Sequence, residues 1–190
     1  RIEKESTMSN VDKDTANWRL YGGGGLLLGG ILWLFAVILG TGGASDLVKW
    51  VSVLGLIIIA IGFLLVGWGQ TGSTGAVGNS VLGKVGLWGA ALGTLLWALL
   101  PVFGTEIVGA WAWIVALLIV VGTLMAAIAI MQKGVARGLA KWLMFAVFIV
   151  ALVFFFVLFA GTAAATGSVI TIIFAIVVTL TGLLYLLNRK

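Results

Sequence analysis

Cysteine and histidine are absent from all 190 residues of this chain. With them go disulfides, thiol nucleophiles, Cys- or His-ligated metals and haem, iron–sulfur clusters and imidazole proton relays. The six acidic residues, Glu3, Glu5, Asp12, Asp14, Asp46 and Glu106, all fall outside the middle of the long apolar runs. Paired catalytic carboxylates need a site that shifts their pKa values, and nothing in this distribution supplies one. No cofactor, metal site or catalytic residue is expected. Proline occurs once, at Pro101, so glycine, at 28 positions, punctuates the chain.

What remains is apolar. Hydrophobic residues make up 62% of the chain and charged residues 9%, with a mean hydropathy of +1.25. A water-soluble core of this size cannot hide that much apolar surface, so lipid is the expected solvent. Six runs approach the ~20 residues that a bilayer-spanning helix needs: Gly22 to Gly40, Leu47 to Trp68, Gly86 to Phe103, Ile107 to Met131, Trp142 to Ala160 and Ser168 to Leu187. Unpaired backbone groups are not tolerated in hydrocarbon, and the ten-residue alternation of a membrane barrel is missing, so the runs read as helices. Their interiors offer only the hydroxyls of Ser52, Thr94, Thr123, Thr171, Thr179 and Thr181, which disfavours a proton- or ion-coupled transporter. A cleavable signal peptide is not expected, since a polar stretch precedes the first run and five more runs follow.

The net charge of +5 is distributed by topology. Arg1, Lys4, Lys13 and Arg19 precede the first run, Lys84 follows the second, Lys133, Arg137 and Lys141 follow the fourth, and Arg189 and Lys190 end the chain. Only Lys49 falls on the other side. The positive-inside rule then places both termini in the cytoplasm and leaves anionic lipid, not nucleic acid, as the partner of the basic residues. Residues 1–19 form a polar cytoplasmic tail, within which Met8 is a candidate start, and 20–190 form the transmembrane domain. Short outward connections make antiparallel neighbours of consecutive helices, giving three tandem hairpins over 22–68, 86–131 and 142–187. A glycine- and serine-rich flexible linker is expected over 69–85; it lacks the Gly-Lys-Ser/Thr ending of a phosphate-cradling loop. Lys133, Arg137 and Lys141, four apart, would share a face if the helix continued through them.

An internal repeat supports the division. Gly25, Gly29, Trp33 and Gly40 recur sixty-four positions on as Gly89, Gly93, Trp97 and Gly104. In the third hairpin, counted back from Gly161, Phe154 takes the Trp position and Ala146 and Val150 take the two glycines. The second helices align through Gly62, Gly122 and Gly182. Gly25, Gly29, Gly89, Gly93, Gly62, Gly122 and Gly182 are the expected helix-packing positions, because small residues let backbones approach closely in lipid. They serve packing within the chain or a face for a second copy or another membrane subunit. Trp18, Trp50, Trp68, Trp88, Trp111, Trp113 and Trp142 sit near run ends as headgroup-level anchors, whereas Trp33 and Trp97 are mid-run and either fill the core or line an apolar site. Asp46 and Glu106 stand at the starts of the second and fourth helices, where a carboxylate meets free N–H groups; as the external acids they are also candidate pH sensors.

The three hairpins, together with the glycine-bearing second helices VLGLIIIAIGFLLVG, LLIVVGTLMAA and IVVTLTGLLYLL, resemble the HdeD-like family of short-repeat bacterial membrane proteins. The Asn-Pro step that often follows the first helix of a repeat in that family is matched only at Pro101. The resemblance implies a cytoplasmic-membrane protein linked to acid or envelope stress, with no catalytic residues to carry over. The expected class is therefore an all-α, six-helix, non-enzymatic membrane protein with a structural or stress role. The alternatives are an accessory subunit of a larger membrane complex, such as a respiratory one, and a small uncoupled channel or carrier.

Overall fold

The computed structural model describes residues 18–40, 42, 46–68, 75–104, 109–133, 135–161 and 164–188, without the side chains of 164–167. The tail before Trp18, Met8, Glu106 and the first part of the expected linker lie outside the described residues. Six α-helices follow one another: α1 Gly24–Gly40, α2 Asp46–Trp68, α3 Val81–Leu99, α4 Ala110–Lys133, α5 Ala140–Phe159 and α6 Ala164–Leu187. A π-helical turn, Trp18–Gly23, leads into α1. The six apolar spans run from 19 to 24 residues, which at 1.5 Å per residue is roughly 28–36 Å and matches the hydrocarbon core. The chain is an all-α integral membrane protein.

Three helix ends show how local chemistry sets the boundaries. Pro101 lies in the turn after α3, which Gly104 closes with φ +74°; Gly161 plays the same part after α5 with φ +62°. Both angles are in the left-handed region where a side chain is costly, so the repeat keeps glycine there. At the other end of α3, Ser80 accepts a hydrogen bond on Oγ from the Gly83 N–H at 3.2 Å and starts the helix at Val81, five residues before Gly86.

The helices form a closed ring. Each packs on its two chain neighbours, and α1 meets α6 to complete the circuit. Contacts run antiparallel: Gly25 against Gly62, Gly86 against Gly122, Gly23 against Leu186. Among the described residues Arg19, Lys84, Lys133, Arg137 and Lys141 lie at one end of the bundle, here termed the basic end. Lys49 and Asp46 lie at the opposite, sparse end.

Several expectations are altered by the packing. The contacts do not set three hairpins apart: α6 packs more extensively on α1 than on α5. Residues 75–80, inside the expected linker, make a folded turn at the basic end, with Ala76 and Val77 fully buried and the Ala76 N–H donating to the Val66 carbonyl at 2.8 Å. Trp18 is not an exposed anchor. It is fully buried and packs edge-on against Tyr185, ring centroids 5.5 Å apart, because the π-helical turn wedges between α2 and α6. The helix does not continue from Lys133 to Lys141 either, since α4 stops at Lys133 and Gly138 takes φ +59° before α5 begins. The shared basic face is therefore not formed; Lys141 instead places its ammonium 5.5 Å from the Trp142 ring.

Candidate functional site

Two features draw together the residues singled out by the repeat: glycine seams between helices, and an aromatic axis inside the ring.

The run GGGGLLLGG, which spans the end of the π-helical turn and the start of α1, presents glycine to two partners. Gly22, Gly25 and Gly29, spaced three and four apart, face α2. A Cβ on Gly25 would stand 3.0 Å from the Gly62 Cα, and one on Gly29 would stand 2.7 Å from the Gly55 carbonyl oxygen. Gly23 and Gly30 face the other way, toward Leu186 and Thr179 of α6. The second seam repeats the first: a Cβ on Gly62 would lie 2.8 Å from the Leu26 nitrogen, and one on Gly122 would lie 2.6 Å from the nitrogen of Ala90, its repeat counterpart. Gly93 is equally tight, with Ile119 Cγ1 at 2.7 Å, whereas Gly89 makes looser contacts, with the Leu118 carbonyl oxygen at 3.4 Å and the Gly122 Cα at 3.8 Å.

The third repeat breaks the pattern. The nearest neighbours of a Cβ on Gly182 belong to Gly23 of the π-helical turn and to Leu26 and Leu27 of α1. The reason is steric. α5 carries no glycine, its equivalents being Ala146 and Val150, and its aromatic side chains hold neighbours at a distance. All seven glycines thus face helices of their own chain.

Every helix contributes at least one large side chain to closing the axis of the ring, among them Trp33, Phe63, Trp97, Ile119, Phe154 and Phe174. Trp33 meets Phe174 edge-on at 5.6 Å, and Trp97 meets Phe154 and Phe155 at 5.3 and 5.6 Å. Such tilted aromatic pairs contribute beyond their buried area. The cavity left between them is about 20 Å³, room for about one water. Thr94 supplies its only hydroxyl, and that hydroxyl already donates to the Ala90 carbonyl at 2.8 Å. The other side chains around it are aliphatic or aromatic, so the cavity is largely apolar. Trp33 and Trp97, merely equivalent in sequence, are brought to one place by closure of the ring.

The hydroxyls of three further threonines, the buried Thr123 and Thr181 and the half-buried Thr179, turn back on their own helices. Thr123 donates to Ile119 at 2.7 Å, Thr179 to Ala175 at 2.7 Å and Thr181 to Val177 at 2.7 Å, each to the carbonyl one turn earlier. They form no polar track from helix to helix. Arg19 donates to the Asn188 carbonyl just past the end of α6, tying the entry of the first span to the exit of the last. Asp46 is the exposed first residue of α2, while Glu106, the other candidate external acid, lies outside the described residues.

The Trp18–Tyr185 pair and the α1–α6 seam carried no sequence signal beyond the glycines of α1, some of which recur at a spacing of seven. Compared with family models, with curated proteins and with solved structures, the chain matches none of them.

Proposed function

We propose that this chain is a non-catalytic membrane bundle of a bacterial cytoplasmic membrane, with both termini on the inner side and a structural role under acid or envelope stress. The filled axis supports this reading most directly: side chains from six helices meet around a cavity of about 20 Å³. A conduction path would need a wetted or charge-lined interior. With the hydroxyls of Thr94, Thr123, Thr179 and Thr181 bonded to their own helices, the bundle acts through its periphery and the lipids around it. The seven repeat glycines engage helices within the chain, which favours a self-contained bundle over an accessory subunit docked through those faces. The ten-to-one distribution of basic residues supports the orientation.

Two experiments test the reading. Cysteines introduced at Ser73 and Ser45 of this cysteine-free chain should be labelled from the inside and the outside respectively, and reversed labelling would overturn the orientation. Deletion should lower survival after acid or envelope challenge, and Asp46→Asn combined with Glu106→Gln should show whether the external carboxylates contribute. A deletion strain that survives normally but loses assembly of a respiratory or transport complex would replace this function with the accessory-subunit role.

A further inference from the structure

The absence of glycine from α5 leaves a mark on the outer surface of the ring. Between α4 and α5, toward the sparse end, lies an open groove of about 540 Å³. Ala116 forms its floor, Trp113 and Leu117 one wall, and Leu152, Phe156 and Phe159 the other. The Trp113 and Phe159 rings stack at 4.1 Å with 18° between their planes, a flat aromatic surface at the end of the groove nearest the helix termini. Among the described residues, no charged or hydroxyl-bearing side chain lines it.

We propose that this groove seats an acyl chain of a membrane phospholipid. It is continuous with the lipid-facing surface: Leu117 and Phe156 line it and are also exposed on the outside of the ring, Phe156 by 73%. Its volume falls in the range of small-molecule sites, roughly 300–1,000 Å³, and its lining asks for a ligand without hydrogen-bonding groups. From Trp113 to Val120 it extends along α4 for roughly 10 Å, about a third of the hydrocarbon core. A helix from a second copy would seek small residues along a longer face, and the groove offers Trp, Leu and Phe instead. A flexible hydrocarbon chain fits those walls. Trp113, the fourth residue of α4, sets the depth, with its ring at the level where indoles meet headgroups. The bound lipid therefore belongs to the leaflet at the sparse end, its headgroup above Trp113 and its chain running down between Leu117 and Phe156.

Photolabelling in vesicles separates this site from ordinary surrounding lipid. The full chain is reconstituted in phosphatidylcholine containing a phosphatidylcholine with a diazirine in one acyl chain, then illuminated, and the adducts are mapped by mass spectrometry. Adducts should be several-fold more frequent at Leu117, Leu152 and Phe156 than at Phe35 and Leu39, exposed residues near the same end of α1. Ala116→Phe, which fills the groove, and Phe156→Ala, which removes a wall from an already exposed position, should each bring labelling down to the α1 level. Equal labelling of α1 and the groove in the parent protein would overturn the proposal, as would an excess that survives Phe156→Ala. Disulfide-linked dimers of Leu117→Cys in vesicles, in place of lipid adducts, would assign the groove to a second copy and also overturn it.

Discussion

Gly182 of α6 packs backbone-to-backbone against Gly23, the last residue of the π-helical turn that leads into α1, so that a Cβ at position 182 would stand 2.7 Å from the Gly23 carbonyl oxygen. This contact closes the ring. In lipid there is little hydrophobic gain from joining two apolar helices, so the close dispersion contacts that glycine permits are what bring the last helix onto the first.

Gly182→Ala should therefore destabilise the bundle by about 1–3 kcal/mol, the usual cost of overpacking a tight contact. Gly24→Ala is the matched control, because nothing lies within 4 Å of a Cβ there; it should be neutral or stabilising by up to ~1 kcal/mol through better helix propensity. Unfolding in mixed detergent, followed by circular dichroism, measures both. If the two variants melt alike, α1 and α6 are not in contact.

Repeat-equivalent glycines should not respond equally. Gly122→Ala forces a Cβ to 2.5 Å from the Gly86 carbonyl oxygen and should shift unfolding strongly, whereas Gly89→Ala gains only ordinary contacts at 3.4 and 3.8 Å. The second change should stay within about 0.5 kcal/mol of the parent. The same detergent titration decides it, and a larger effect at Gly89 would shift the register of the α3–α4 seam.

Trp33→Ala should cost about 3–5 kcal/mol, since it leaves a cavity where an indole met Phe174. Trp33→Phe should recover much of that loss. The enlarged cavity of the alanine variant should also take up xenon, as apolar cavities of sufficient size do; xenon NMR reads this directly. A variant as stable as the parent would mean that the axis is not packed around this ring.

Thr123→Val should change stability by about 1 kcal/mol or less, although Thr123 is fully buried. Its hydroxyl donates to carbonyls of its own helix, at 2.7 Å to Ile119 and 3.1 Å to Val120, and valine keeps the shape. Loss of several kcal/mol in the detergent melt, or a change in vesicle ion permeability, would reveal an interhelical polar contact at this position.

The number of spans, their approximate ends and the all-α class were legible in the residues themselves. Hydrocarbon demands that each crossing satisfy its own backbone, and only apolar runs of about twenty residues do so as helices. The repeat also marked Gly25, Gly62, Gly89 and Gly122 as packing positions without saying which would meet; the structure brings Gly25 to Gly62 and Gly89 to Gly122 in two seams. The repeat did not show that Gly182 would turn to α1, that Trp33 and Trp97 would share one axis, that Trp18 would be buried on Tyr185, or that α4 and α5 would leave a groove. Those outcomes depend on which face of each helix points inward. In water that face is written as a stripe of apolar residues among polar ones; here α5, AKWLMFAVFIVALVFFFVLF, is apolar all round, and only the fit of side chains across the closed ring chooses its orientation.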